Sequence, residues 1–209
     1  MKTSFILSAA LAIHDSILNH ETELESLDRA IGDGDHYINM KRGASTIVEI
    51  QAELEPLTPD AALNKIGLKL LSTIGGASGP LLASFFMGTA KVIKEKGDES
   101  VQTYAAAFAA GVDAIRQRGK ADLGEKTMLD VLIPVAHQFT ALAAANAGIK
   151  EICISLITTA EHGMLATKGL IATKGRAAGL GERAIGHIDP GAKSCQLMIE
   201  AVCNLFSTQ

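Results

Sequence analysis

Three carboxylates, Asp28, Asp33 and Asp35, fall within eight residues of the run Leu27-Asp28-Arg29-Ala30-Ile31-Gly32-Asp33-Gly34-Asp35-His36. Ionised groups this close repel one another, and burial raises their pKa values unless a cation joins them. A donor set made only of oxygen favours a hard cation. Magnesium uses few carboxylates, keeps waters and takes its remaining oxygens from phosphate. Asp28 ends a helical segment over 22–30, and Gly32 and Gly34 are expected to take positive φ, folding Asp33 and Asp35 back toward it. A plain surface Asx-Gly turn after a helix accounts for the same residues, and the run alone does not choose between the two. An EF-hand is excluded, because no Glu stands at the twelfth loop position.

Two further glycine-rich breaks carry chemistry. In Gly75-Gly76-Ala77-Ser78-Gly79-Pro80 the glycines let backbone approach a ligand, Ser78 offers a hydroxyl, and Pro80 presets a helix start. Free N–H groups at that start suit an anion such as a phosphate, although the Walker Lys-Ser/Thr ending is missing. A tight turn between closely packed helices explains the same residues. The stretch 174–191 is too long for a plain connector, which marks it as functional. Within it, Arg176 and Arg183 suit forked phosphate contacts, and Asp189-Pro190-Gly191 reads as a turn. A weaker fourth element is Gly124-Glu125-Lys126-Thr127-Met128-Leu129-Asp130, a helix start where Met128 is placed to pack on a flat ring. Of the histidines, only His36 and His187 lie inside these loops.

The elements that must position these loops are helical. Apolar spacing predicts helices over 3–20, 22–30, 39–54, 59–73, 80–96, about 100–118, 126–146, 149–173 and 193–206, with Thr58 and either Asp98 or Ser100 as caps. Pro134 should kink the seventh of them. No stretch alternates with period two. The expectation is an all-α single domain over 1–209, built from about eight helices.

Composition agrees. Aromatic content of 4% and the absence of Trp imply a core of Ala, Leu, Ile and Val. A net charge of -4 argues against nucleic acid as the main partner. Cys153, Cys195 and Cys203 have no metal-ligand spacing and sit in apolar settings, as reduced thiols of a cytoplasmic protein would. Residues 1–13 resemble a weak signal peptide. However, Ile6, Leu7, Ala10, Leu11, His14, Ile17 and Leu18 continue one helical face through the supposed cleavage site, so a retained first helix is expected. No apolar run is long enough to span a bilayer, and no membrane partner is expected.

Taken together, four runs resemble the family of ADP-binding L subunits of bacterial dihydroxyacetone kinase: 27–36, 75–80, 126–130 and 175–192, in that order. The resemblance implies an antiparallel eight-helix barrel carrying ADP or ATP and two Mg2+ ions at one end. Asp28, Asp33 and Asp35 would hold the metals. His36, Tyr37, Ile38, Asn39, Ala77, Ser78, Gly119, Met128, Arg176, Asp189, Pro190 and Gly191 would hold the nucleotide, with the three aspartates and Arg176 serving phosphoryl transfer. One departure is Tyr37, where the family usually has Gly; a phenol there is expected to crowd the nucleotide or a docking partner. Standing without a fused ketose-binding domain, the chain resembles the phosphoenolpyruvate-dependent system. There a K subunit holds dihydroxyacetone, and a phosphocarrier M subunit rephosphorylates tightly bound ADP. A homodimer is left open. The alternatives are a kinase subunit for another short ketose or polyol, or for a carrier-bound fatty acid, and a non-catalytic nucleotide-sensing module.

Overall fold

A computed structural model describes residues 2–206. Among them are ten α-helices and no strand: α1 (Thr3–Asn19), α2 (Glu21–Ile31), α3 (His36–Glu49), α4 (Gln51–Leu54), α5 (Pro59–Thr73), α6 (Ser78–Lys96), α7 (Val101–Gly119), α8 (Leu129–Ala144), α9 (Ile149–Ala166) and α10 (Pro190–Asn204). Eight of these close a ring, in which α1 packs on α3, α3 on α5, then α5 to α10 each on the next, and α10 back on α1. The short α2 and α4 lie outside it. This is the expected eight-helix barrel with two short helices outside the ring: α2 matches the helix expected over 22–30, and α4 arises where the helix expected over 39–54 is broken. Ile50 leaves the helical region and divides 36–54 in two.

Short connections force neighbouring helices to run antiparallel. Every second connection in such a ring therefore emerges at the same end. Segments 32–35, 74–77, 120–128 and 167–189 alternate in this way with 97–100 and 145–148. The four stretches singled out for chemistry are thus gathered at one end by topology.

Individual stops and starts follow from local chemistry. At the end of α6, Gly97 takes the left-handed conformation (φ 66°) that terminates a helix without steric cost. Ser100 caps α7 by accepting from the Thr103 N–H, while Asp98 accepts from the Ser100 N–H, so both expected residues contribute. Thr58 occupies the cap position of α5 without a side-chain hydrogen bond. Several expected boundaries move. Helix α3 begins at His36 rather than 39, and α10 begins at Pro190 rather than 193, so Asp189-Pro190-Gly191 is a helix start and not a separate turn. The sixth helix begins at Ser78, before Pro80. The next-to-last ends at Ala166, where the chain tightens into a 3-10 turn, Thr167–Gly169. Helix α8 starts only at Leu129, because the Asp130 carboxylate accepts from the Gly124 and Thr127 N–H groups and holds 124–128 as a turn.

Two apolar clusters fill the ring. One contains Ile17, Leu24, Leu54, Ile66 and Leu70; the other contains Val131, Val135, Ile152, Leu156 and Cys195. Met198 touches both. With alanine so common and tryptophan absent, the interior is not filled, and an apolar cavity of about 810 Å³ lies between the clusters. The first helix is part of the core, with Ile6 and Ile17 buried. Cys153, Cys195 and Cys203 are buried and unbridged. No helix among the described residues is long and apolar enough to cross a membrane.

Pro134 does not end α8. Lacking an N–H, it leaves the Asp130 carbonyl without its usual helical donor, and Gly163 of α9 packs against that carbonyl. A Cβ at position 163 would lie 2.3 Å from the Asp130 oxygen and 3.0 Å from the Val131 Cα. These are backbone atoms that cannot step aside. Gly163→Ala should therefore destabilise the fold by roughly 1–3 kcal/mol through overpacking, read as a lower denaturant midpoint in circular dichroism. An unchanged midpoint would show that α8 and α9 separate freely.

Candidate functional site

The four connections at one end of the ring enclose a cavity of about 460 Å³, within the usual range for a small-molecule site. On one wall stand the three aspartates. Asp28 lies on the last turn of α2 and is buried, whereas Asp33 and Asp35 are exposed on the turn that follows. One carboxylate oxygen from each falls within 4.8 Å of the others. Asp28 also organises the turn, since its Oδ2 accepts from the His36 N–H at 2.9 Å.

The two glycines of this turn have different jobs. Gly34 takes the expected positive φ of 79°. Gly32 does not: its φ is -120°, and it is glycine because a Cβ would sit 1.7 Å from Asp28 Oδ1. Here the requirement is space for the carboxylate.

Helix α3 begins immediately after Asp35, and its first turn sorts the expected residues by direction. At 3.6 residues per turn, positions three apart share a face. His36 and Asn39 therefore line the cavity, and Tyr37 and Ile38 do not. Ile38 is exposed. Tyr37, only 2% exposed, belongs to the core cluster with Leu24 and Met40, and Lys41 Nζ lies 5.6 Å from its ring centre. Burial, with Glu21 and Glu25 nearby, raises its hydroxyl pKa. The expected crowding by the phenol is thus corrected: its side chain points away from the cavity. His36 Nε2 lies 2.6 Å from Ser194 Oγ on α10, and burial lowers the imidazole pKa against the pull of Asp28 and Asp35.

Opposite the aspartates, Gly75, Gly76, Ala77 and Ser78 line the cavity where α6 begins. The Gly75 N–H donates to Asn39 Oδ1, tying this loop to α3. First-turn amides of α6 have no partner within the helix, so Ser78 and Gly79 present donors at its positive end. Gly119, the last residue of α7, and Met128 complete this side.

The long segment after α9 is held in place. Its middle part, Arg176–Ala184, forms 3-10 turns, and Ala172, Ala177, Leu180 and Ala184 pack on Ile31 of α2. This small core delivers Arg176 to the aspartates, where its Nε donates to Asp33 Oδ2 at 2.8 Å. Arg183, the expected second arm of a phosphate fork, does not line the cavity; its Nε donates weakly to the Leu180 carbonyl. Asp189, Pro190 and Gly191 line it where α10 starts. Asp189 caps that helix by accepting from the Ala192 N–H, and burial pushes its carboxyl pKa up to about 7.

Sequence reasoning missed Lys126. This side chain also lines the cavity, yet it is 1% exposed and donates to two backbone carbonyls. It lay inside a motif already singled out, but helical spacing carries no signal for a lysine buried in a turn. Arg118 and Lys174 reach the cavity as well.

A cluster of three carboxylates facing helix-start amides and an arginine can hold a hard cation together with a polyphosphate. Comparison with known proteins bears on this arrangement. Residues 30–204 match the DAK2 domain. The chain is 38% identical over 185 residues to the ADP-binding subunit DhaL of the PEP-dependent dihydroxyacetone kinase of Escherichia coli (strain K12), covering 88% of each chain. Its identity to the corresponding PTS-dependent subunit of Lactococcus lactis (strain IL1403) is 36%, over 93% of each. The fold matches the dihydroxyacetone kinase of C. freundii in its native form, with a TM-score of 0.74 and 25% identity over 97% of this chain, which spans 34% of that longer protein. A second structure of that kinase, with AMP-PNP and Mg2+, matches with a TM-score of 0.73 and 24% identity. With the match running from α2 to the end of α10 and including all four cavity-forming connections, the chain belongs to the DAK2 domain family.

Proposed function

We propose that this chain is the nucleotide-bearing subunit of a phosphoenolpyruvate-dependent dihydroxyacetone kinase. In this reading ADP stays bound, a phosphocarrier M subunit phosphorylates it, and the γ-phosphoryl passes to dihydroxyacetone on a separate K subunit, giving dihydroxyacetone phosphate. The observation that carries it is the single cavity in which three carboxylates, the start of α6 and Arg176 converge. Phosphoryl transfer asks mainly for positioning and charge neutralisation.

The residues present fit such a ligand. Asp28, Asp33 and Asp35 would hold two Mg2+ ions, which when bound supply charge neutralisation at the phosphates. Ser78 and the first-turn amides of α6 offer donors to phosphate oxygens, and Arg176 brings a charge-assisted donor to the same place. Met128 and Gly191 approach closely, with 3.7 Å between the Met128 Cβ and the Cβ position at 191. The side chain of Met128 packs on the bare backbone of Gly191, and the two together form one apolar wall against which a base would lie. Asn39, His36, Gly119, Asp189 and Pro190 line the same cavity and would border the nucleoside. All these groups come from one chain, so a homodimer is not required by this reading. The whole of 1–209 serves as one nucleotide-binding domain, since Met198 joins its two core clusters. Buried, unbridged thiols fit a cytoplasmic location.

So many charge-assisted contacts favour slow release, since affinity differences appear mostly in the off-rate. The purified protein is expected to carry ADP through desalting. In a reconstituted system with K and M partners, label from the phosphorylated carrier should reach dihydroxyacetone phosphate without ADP leaving. Exchange of ADP with bulk nucleotide within one turnover would reject the resident-cofactor reading. Label reaching no short ketose would assign the cavity to another acceptor or to nucleotide sensing.

A further inference from the structure

The turn before α8 contains a lysine that the proposed chemistry leaves without a role. Lys126 takes a positive φ of 60°, which is strained for a residue with a side chain, and is 1% exposed. Its Nζ donates at 2.5 Å to the carbonyl of Thr167, at the end of α9, and at 2.5 Å to that of His187, just before α10. Burying an ammonium costs several kcal/mol unless its donors are filled, and an apolar side chain would serve stability at least as well. The placement instead fixes geometry, and what it fixes is the wall of the cavity.

Several bonds converge on the same joint. The Asp189 N–H donates to Thr167 Oγ1 at 3.0 Å, and the Gly186 N–H donates to the Lys168 carbonyl at 2.8 Å. Thr167 and His187 bracket the whole segment that carries Arg176. Immediately after His187 come Asp189, Pro190 and Gly191, and two residues after Lys126 comes Met128. One ammonium thus ties together the stretch that carries Met128, the end of α9 and the lead-in to Gly191. Asp189 and Asp130 lie close enough to act electrostatically on it, and the carboxylate cluster at 28–35 is not among its partners.

We propose that Lys126 is a positioning residue for the nucleoside half of the site, holding Met128 against Gly191 as one wall of the cavity without itself binding phosphate. The inference rests on the nucleotide reading above. The test compares wild type and Lys126→Met by calorimetry with three probes: Mn2+ alone, Mg-pyrophosphate and Mg-ADP. Wild type must first bind Mg-ADP; failure there would sink the nucleotide reading itself and with it the role of Lys126. Given binding, Lys126→Met should weaken Mg-ADP by roughly tenfold to a hundredfold, the scale of a misplacement of about 1 Å. Mn2+ and Mg-pyrophosphate, which have no base to lay against the Met128–Gly191 wall, should bind as in wild type. A purely structural lysine would lower thermal stability and leave Mg-ADP affinity unchanged well below the melting point, overturning the proposal. An equal loss for pyrophosphate would make Lys126 a phosphate ligand, overturning it too. Should Lys126→Met fail to fold, the 15N resonance of the wild-type Lys126 ammonium decides. It should be slow to exchange and should shift on saturation with Mg-ADP but not with Mg-pyrophosphate; no shift with Mg-ADP counts against the positioning role.

Discussion

Asp33→Asn is expected to lower phosphoryl transfer in the reconstituted system by roughly a thousandfold, the rate equivalent of several kcal/mol of lost charge stabilisation. Asparagine keeps the shape and one acceptor oxygen but removes the negative charge that balances a divalent cation. Asp33 is the best of the three aspartates to change. Asp28 is buried and holds the His36 N–H, so replacing it disturbs the turn as well as the charge. Asp33 is exposed, and its one ion pair, with Arg176, lies at the surface. Pairs of that kind contribute about 0–1 kcal/mol to stability. Thermal stability of the metal-free protein should therefore barely move, while Mg-ADP binding measured by calorimetry falls steeply. If the variant binds Mg-ADP like wild type, the metal does not sit on this cluster.

The second large effect concerns pH. Asp189 has its carboxyl pushed from 3.8 to about 7, with burial the main cause and the neighbouring Asp130 adding to it. Hydrogen bonds from Ala192 and Gly191 and the charge of Lys126 work in the opposite direction. A carboxyl whose pKa is higher in the folded chain binds its proton more tightly there. Its contribution to stability is thus complete below the unfolded value and is lost as pH rises through the folded one. Asp189→Asn removes this dependence and keeps an N-cap of equal quality. The attraction of Lys126 acts only on the ionised carboxylate and is already contained in the folded pKa, so its loss adds no separate offset. Relative to wild type, the variant should gain stability between about pH 4 and pH 7, by on the order of 2–4 kcal/mol over the whole span, and stay level above it. Urea unfolding of both proteins across that range measures the difference. A flat difference would mean that Asp189 keeps an ordinary pKa, as it would if water reached the base of the cavity.

The helical class and the location of the chemistry were legible from the chain itself, for reasons of local physics. Apolar residues at helical spacing, Pro59 inside a helix start and Gly97 after a helix end mark elements whose geometry depends on nearest neighbours. Acidic residues as close as Asp28, Asp33 and Asp35 must share an environment wherever the chain goes. Segment 174–191 stood out by length alone. Short connections between helices then imply an up-and-down ring, and the alternation of its ends brings four separated stretches together.

What the tertiary structure decided were directions and burial, because both depend on residues remote in sequence. A run of names across the start of α3 does not say which side chains face a ligand. The helical rotation sends His36 and Asn39 to the cavity, Tyr37 to the core and Ile38 to solvent. Gly32 resembled a turn glycine, yet its constraint is the Asp28 oxygen lying where a Cβ would be. By residue type and spacing Arg176 and Arg183 were equivalent and only the resemblance singled out Arg176; the packing of Ala177, Leu180 and Ala184 on Ile31 carries the first alone to the aspartates. Lys126 was the hardest to foresee, since its two carbonyl partners are 41 and 61 residues away. A lysine in a polar turn is normally solvated; only the closure of the ring around it removes the water and leaves the backbone of two other segments as its ligands.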